Sequence, residues 1–285
     1  MHIGKLTISI DLELGWGNWD NISPYHVQNI KDNERAIVKR LLLIFNRYEI
    51  KVTWAIVAAL LDAKSSENMP GEKTLWYAPE VIQGILSSRV EHDIGSHGGR
   101  HRYFDDMSEQ QCIEDLQFAA YIHKKNGLAL NSFVYPRNKV GRTYLLADHG
   151  IRIYRGQDIA WHETIRNRNV HLGRIANMMD KMMPIAPDVV IPEYSDKLCN
   201  LPGSMLFFGR KGIRKFVNSK IMFRKLDKGL NSAISENAVF HLWFHPSNFW
   251  HDTEQQFEIL EQFIAKASDY SSLGKLEIKT MAEFA

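Results

Sequence analysis

KLTISIDL at residues 5–12 and AVFHLWF at residues 238–244 are short apolar runs near the two ends of the chain. The first run is rich in β-branched side chains, and both are too short for a typical helix, which predicts strands. Strands that are apolar along their whole length are buried on both faces, as in a parallel sheet covered by helices. The two runs therefore predict an α/β protein built around a parallel sheet.

Strand-like and helix-like stretches alternate between and beyond these runs. Further strands are predicted at 52–57, 91–96, 132–135, 151–154 and 276–278. Helices are predicted at 30–48, 79–87, 108–125, 142–148 and 255–266, with Ser108 as an N-cap. The alternation favours one barrel-like domain over residues 1–285. No Gly-rich phosphate loop follows the first strand, which disfavours a nucleotide-binding fold.

The stretch 161–231 interrupts this alternation. It is rich in Met, Arg and Lys, and it contains four prolines, at positions 184, 187, 192 and 202. We interpret it as an irregular insertion with some helix rather than as a second domain.

Composition excludes several classes of protein. The 285 residues are 45% hydrophobic and 24% charged, which is typical of a globular protein and too apolar for a disordered one. A net charge of +2 gives no basic field for nucleic acid. Neither a secretory leader nor an apolar run of about 18 residues is present, so we expect a cytoplasmic protein with no membrane-spanning segment. The sequence does not determine an oligomeric state.

The 12 His exceed what packing needs and suggest metal or acid–base chemistry.

Two carboxylates stand where the first strand ends. Asp11 and Glu13 are two residues apart, so their side chains face the same way. In a parallel barrel this end of each strand carries the chemistry. Two acids on one face repel each other unless a cation lies between them or one is protonated. A solvated strand end with two unrelated acids is the alternative interpretation.

His97 and His101 follow the short strand at 91–96 and are four residues apart. Two imidazoles and one carboxylate form a common open metal site, and the intervening glycines allow a ligand to approach the backbone closely. An HxxxH pair alone is a weak signal, because 12 His produce such spacings by chance. A pair of surface histidines is the alternative.

Two further segments end strands. In Tyr135-Pro136-Arg137-Asn138 the proline fixes a turn, and the next backbone N–H can face a developing oxyanion; an ordinary turn is the alternative. His245 stands at the end of the 238–244 strand, where a general acid can act on a leaving amine. His241 lies deeper in that strand and is expected to be a hydrogen-bonded core residue.

In this order the segments resemble the carbohydrate esterase family 4 polysaccharide deacetylases, also called NodB homology domains. The likeness extends from Lys5 to about Phe249. It rests on four motifs, which are DLE at 11–13, HDIGSHGGRH at 92–101, FVYPRN at 133–138 and FHPS at 244–247. The MSEQQCIEDL stretch at 107–116 also matches the helix that usually follows the second motif.

The resemblance implies a distorted (β/α)7 barrel and a role for each matched residue. Asp11 would be the general base, and Glu13, His97 and His101 would hold a divalent metal, most often zinc. The backbone N–H of Arg137 would bind the oxyanion, and His245 would protonate the leaving amine.

Several positions depart from the family pattern. Glu13 stands where the family usually has Asp. The family's third-motif Arg precedes the proline, whereas here Arg137 follows it, so the partner that restrains the base is missing or replaced. Asp158, in RGQDIAW at 155–161, is the best candidate for the residue that orients His245. These departures suggest a substrate other than chitin or peptidoglycan.

The function implied is metal-dependent removal of an N-acetyl group from an amino sugar of a glycan or an activated sugar, in surface polysaccharide (O-antigen or capsule) biosynthesis. Alternatives are hydrolysis of another non-peptide C–N bond, such as a formamide, cyclic ureide or imide, and a catalytically weak carbohydrate-binding protein. We expect a set of residues beside the reacting groups to contact the sugar, namely Trp16, Tyr135, Pro136, Asn138 and Trp161.

Overall fold

The computed structural model describes residues 3–159 and 170–285. Its central strand is β1, Gly4–Leu12, in which every residue except Lys5 is buried. On one side β1 pairs with β9, Val239–Phe244. On the other side the start of β1 pairs with β10, Leu276–Ile278, and the end of β1 pairs with β2, Thr53–Ile56. All of these pairings are parallel, which confirms that the two apolar runs are buried strands of a parallel sheet, and the structure places them side by side.

The described strands form one curled sheet in the order β6-β7-β5-β4-β3-β2-β1-β9-β8, with β10 beside β1. Only the β6–β7 pair among these strands is antiparallel. The remaining bounds are β3, Asp93–Ser96; β4, Ser132–Val134; β5, Ile153–Arg155; β6, Glu193–Ser195; β7, Leu198–Asn200; and β8, Met205–Leu206. The sheet with its helices forms half of a barrel, so the predicted α/β barrel-like architecture is confirmed.

Seven described α-helices connect and cover the strands. They are α1, Pro24–Asn29; α2, Arg35–Tyr48; α3, Pro79–Leu86; α4, Glu109–Lys125; α5, Val170–Met182; α6, Ser219–Glu236; and α7, Thr253–Ser272. Ser108 caps α4 as predicted, because its side chain accepts a hydrogen bond from the Gln111 backbone N–H while the Gln111 side chain accepts one from Ser108. Within residues 3–159 and 170–285, no helix is both long and apolar enough to cross a bilayer.

Two predicted helices differ from the structure. The helix expected at 30–48 is preceded by α1 and begins with one π-helical turn, Ile30–Glu34, whose first and last residues are buried. The helix expected at 142–148 is instead two short 3-10 turns, Thr143–Leu145 and Ala147–His149. Arg142 has a left-handed backbone with φ 49°, so an α-helix cannot begin there.

The stretch 161–231 is more regular than predicted. Residues 160–169 lie outside the described part, but the remainder supplies α5, β6, β7, β8 and most of α6. β7 pairs with β5, and β8 pairs with β9, so this stretch completes both ends of the sheet. Strands of two or three residues are too short to show an alternating pattern, which is why the sequence did not reveal them.

Candidate active site

The two predicted carboxylates lie at the carboxyl end of β1. Asp11 is the penultimate residue of the strand and is 2% exposed. Glu13 follows the strand, and its side chain folds over Gly17 so closely that a Cβ at Gly17 would overlap Glu13 Oε2. Because Gly17 has no side chain, it leaves the space that the Glu13 carboxylate occupies.

The two histidines of the HxxxH pair are buried and converge on one oxygen. His97 follows β3 directly, and His97 Nε2 and His101 Nε2 each lie 3.0 Å from Glu13 Oε1. Asp115 on α4 holds the loop between them, because its carboxylate accepts hydrogen bonds from the backbone N–H groups of Gly99 at 2.6 Å and Arg100 at 3.1 Å. The sequence interpretation did not identify Asp115, which lies within the helix matched after the second motif.

The donor atoms of this cluster fit a bound cation. His97 Nδ1 lies 2.8 Å from the backbone oxygen of Val134, so Nδ1 must carry a hydrogen. In the neutral ring, Nε2 then directs a lone pair at Glu13 Oε1, which is repulsive unless a proton or a metal ion lies between them. In His101 no hydrogen bond fixes which ring nitrogen carries the hydrogen in this way, because its Nδ1 is buried without a partner among the described residues. One donor atom each of Glu13, His97 and His101 lie within 4.8 Å of one another.

The partner of Asp11 is Arg155, at the end of β5. Arg155 is 1% exposed, and its Nη1 and Nη2 donate to the two Asp11 oxygens at 2.8 and 2.7 Å. Arg155 also donates to Ser9 Oγ and to Asn138 Oδ1, both at 2.9 Å. Burial raises the pKa of Asp11, but the charge of Arg155, together with the smaller contributions of His97 and His245, more than offsets this and lowers that pKa below its usual value. Asp11 is thus held ionised and oriented, as a general base must be.

Arg155 therefore supplies the restraint on the base that the third motif lacks. The sequence interpretation left that partner missing or replaced, and the structure shows a replacement from the next strand, β5. The signal was an Arg directly after the strand predicted at 151–154 and three residues before Asp158.

The third motif divides between the cavity and the core. Asn138 and Arg137 line the cavity beside Asp11. Both have left-handed backbones, with φ 53° and 56°, and the role of the Arg137 N–H toward an oxyanion stays a prediction. Tyr135 and Pro136 are buried, and the Tyr135 ring packs edge-on against Phe104 and Phe133. The expectation that Tyr135 and Pro136 contact substrate is therefore wrong, because the Tyr135 ring packs in the core and neither buried residue lines the cavity.

His245 faces both carboxylates from the end of β9. Its Nε2 lies 3.2 Å from Glu13 Oε1 and 3.6 Å from Asp11 Oδ2. Burial lowers the pKa of His245, but the charges of Glu13 and Asp11 more than offset this and raise it to about 9. The imidazole is therefore protonated at neutral pH in the absence of a cation, as a proton donor would be.

The ring of Trp243 connects Asp158 to His245. Its carboxylate accepts hydrogen bonds from Trp243 Nε1 at 3.1 Å and from Asn138 Nδ2 at 3.4 Å. The Trp243 ring in turn packs edge-on against His245, with 5.8 Å between the ring centroids. Asp158 thus fixes the ring that packs on His245, and a direct role in orienting the acid stays a prediction.

His241 is the hydrogen-bonded core residue that the sequence predicts. It is fully buried, with Nδ1 3.0 Å from the backbone oxygen of Pro202 and Nε2 2.9 Å from Ser9 Oγ. Burial and the nearby Arg155 charge lower its pKa to about 3, so it stays neutral.

The aromatic residues of the cavity differ from those expected. Trp16 is 3% exposed and donates to the Trp76 backbone oxygen, so the expectation that it contacts a sugar is wrong. A 3-10 turn, Leu14–Asn18, rotates Trp16 into the core after β1 ends. Trp161 lies outside the described residues. Trp243 and Trp250 instead line the cavity, whose volume is about 1080 Å³.

Trp250 is held by a buried acid. Its Nε1 donates to Glu34 Oε2 at 2.6 Å, and Glu34 ends the π-helical turn before α2. Burial raises the pKa of Glu34 to about 7. π-turns inside helices are frequent at functional sites, and this one brings Glu34 against the cavity wall.

The described residues thus form a half-barrel with a His-and-carboxylate cluster at the carboxyl ends of its strands. Residues 24–154 match the polysaccharide deacetylase family model, which confirms the resemblance found in the sequence motifs. This range includes the HxxxH pair and the third motif but neither Asp11, Glu13 nor His245. No curated protein matches the sequence. The family match supports deacetylation of a carbohydrate.

Solved structures share the fold across almost the whole chain. One is a probable polysaccharide deacetylase from Pseudomonas aeruginosa PAO1, with a TM-score of 0.66, 15% identity, and coverage of 98% of this chain and 90% of that one. Another is the Puue allantoinase, with a TM-score of 0.67, 14% identity, and coverage of 98% and 89%. At these identities the likeness shows the fold alone.

Proposed function

We propose that this protein is a metal-dependent hydrolase that removes the N-acetyl group from an amino sugar of a glycan or an activated sugar. The observation that carries the proposal is the convergence of His97 Nε2 and His101 Nε2, each 3.0 Å from Glu13 Oε1, beside the Arg155-bound Asp11. Asp11, Glu13 and His245 therefore line one cavity, and the buried His97 and His101 contact Glu13. The most suitable metal is zinc, because imidazole and carboxylate ligands with open positions suit it.

A divalent cation held by Glu13, His97 and His101 would polarise the acetamide carbonyl and lower the pKa of water. Asp11 accepts the proton of the attacking water, and Arg155 keeps Asp11 ionised for this step. The Arg137 backbone N–H faces the oxygen that gains charge. His245 donates its proton to the nitrogen of the leaving amine, so acetate and a free amino sugar are the products.

An amine-release assay tests this proposal. The purified full chain is incubated with N-acetylated amino sugars and oligosaccharides, with and without a chelator. We expect release that the chelator abolishes and that His97→Gln lowers by at least about 100-fold. His123→Gln is the matched control, because His123 is equally buried but lies on α4 with its Nδ1 bonded to the Ala129 backbone oxygen. Unchanged activity in His97→Gln would reject the proposal.

A second candidate is hydrolysis of another C–N bond, and the fold shared with the Puue allantoinase makes it worth testing. A formylated amino sugar and a cyclic ureide are therefore included in the same assay. Amine or acid release from these compounds alone would favour the second candidate. A metal-loaded protein inert toward every compound would favour the catalytically weak carbohydrate-binding alternative.

We also propose a cytoplasmic role in surface polysaccharide assembly. The departures at Glu13 and in the third motif support a substrate other than an external polymer. An activated sugar is the form that such assembly uses inside the cell.

A further inference from the structure

The cavity has a second set of lining residues beyond the carboxylates and imidazoles. We call it the aromatic–basic cluster, and it consists of Tyr25, His26, Lys211, Trp250 and His251. The Tyr25 hydroxyl lies 2.5 Å from His251 Nε2, and the Tyr25 and Trp250 rings pack edge-on with 5.9 Å between their centroids. A volume of about 1080 Å³ is slightly above the usual range for pockets that bury most of a drug-sized ligand. The cavity therefore has room for a substrate that extends beyond one sugar ring.

Lys211 gives this cluster a positive charge with which no acid of the described residues forms an ion pair. Its Nζ lies 3.8 Å from the centroid of the Tyr25 ring, so the ammonium group is placed on the cavity wall. Among residues 3–159 and 170–285, neither Lys211 nor Arg214, another lining residue, forms an ion pair. By contrast, Arg210 is paired with Asp252 at 2.9 Å.

Two of the acids that line the cavity, Asp180 and Asp188, interact with Lys225. Asp180 Oδ2 lies 2.6 Å from Lys225 Nζ, and Asp188 contributes to the electrostatic environment of that same lysine. Burial, together with the charge of Lys211, lowers the pKa of His26, as expected in an electropositive environment. The cluster thus presents an ammonium, a nearby guanidinium and hydrogen-bonding rings, and in the part of the chain that the structure describes no carboxylate is paired with either cation.

We propose that the aromatic–basic cluster and Arg214 bind an anionic phosphate group that the substrate carries beyond its acetylated sugar. Lysine is a common point-charge ligand for phosphate, and arginine binds it with two parallel hydrogen bonds. A phosphate held by Lys211 and Arg214 would anchor the substrate in the cavity that Asp11 and Glu13 also line, and the acetamide would then lie at those carboxylates. The inference rests on the proposed function and names its substrate class, a sugar phosphate or a sugar linked to a nucleoside diphosphate.

Kinetics with matched substrates test this proposal. kcat/KM is compared for an N-acetylated amino sugar, its 1-phosphate and its nucleoside diphosphate derivative. We expect the phosphorylated forms to be favoured by at least about 10-fold, mainly through a lower KM, since hydrogen bonds to charged groups are the stronger class. Lys211→Met and Arg214→Met should reduce this preference toward one. Lys215→Met is the matched control, because Lys215 is in the same turn but does not line the cavity.

A binding measurement separates the two proposals. Calorimetric titration with the deacetylated sugar 1-phosphate requires no catalysis, so it reports on the anion site even if no amine is ever released. We expect binding that is at least about 10-fold weaker in Lys211→Met and unchanged in Lys215→Met. Equal kcat/KM for neutral and phosphorylated sugars, or equal phosphate binding by wild type and Lys211→Met, would overturn the inference. A preference for the diphosphate over the monophosphate would identify the nucleotide-linked source.

Discussion

Replacing Arg155 with Met tests how the general base is held. Arg155 and Asp11 are 1% and 2% exposed and share two hydrogen bonds of 2.7 and 2.8 Å. Removing one partner of such a pair leaves the other charge buried and uncompensated, which costs about 3–5 kcal/mol. We therefore expect Arg155→Met to lower the free energy of unfolding by that amount at pH 7. Arg152→Met is the matched control, because Arg152 is exposed beside the same strand and should change stability by less than about 0.5 kcal/mol.

The same variant should change catalysis in a diagnostic way. The Arg155 charge holds the pKa of Asp11 below its usual value, so its loss raises that pKa and moves the acidic limb of the kcat/KM profile to higher pH. Urea unfolding and pH-dependent amine release measure the two effects. Combining Arg155→Met with Asp11→Asn removes both charges and should recover most of the lost stability, while leaving the enzyme inactive. Arg155→Met as stable as Arg152→Met, or no recovery in the double variant, would refute the reasoning.

Three further predictions follow from particular contacts. The pKa of Glu34 is about 7 in the folded state and about 4.5 in the unfolded state, so the folded state binds more protons between these pH values and stability falls as pH rises through them. Glu34→Gln should remove this pH dependence and stabilise the protein at pH 8 by up to roughly 3 kcal/mol. The same pH dependence of the free energy of unfolding in both proteins from pH 5 to 8, measured with urea, would contradict this. Asp115→Asn should weaken metal binding by about 10–100-fold in a chelator competition, since Asp115 holds the HxxxH loop; unaltered affinity would show that the loop needs no such support. Gly17→Ala should displace the Glu13 carboxylate and lower kcat, whereas Gly84→Ala, where a Cβ meets no atom within 4 Å, should not; equal activities would argue against the close contact.

The sequence predicted the central strands and the side chains that converge at their ends because both depend on short-range patterns. β1 and β9 are apolar along their length, and a parallel sheet brings the ends of its strands to one edge. Asp11, His97 and His245 therefore converge although they are far apart in the chain. The HxxxH spacing then identified His101 as the second imidazole of the pair.

Other features depended on contacts that the sequence pattern does not encode. Arg155 reaches Asp11 from β5, several strands away in the sheet, so only the tertiary fold pairs them. Trp16 was expected to contact the sugar, but the 3-10 turn after β1 directs its ring into the core. Nearness in sequence beyond a strand end does not determine which way a side chain faces.

Reconstitution with metal tests the central claim most directly. The protein is stripped with a chelator, dialysed and titrated with zinc while amine release from an N-acetylated amino sugar is followed. We predict that activity rises linearly and stops rising at one equivalent of zinc per chain, and that His97→Gln shows no such rise. Full activity of the stripped protein, or activity that does not depend on added metal, would contradict the assignment of Glu13, His97 and His101 as the ligands of a catalytic ion.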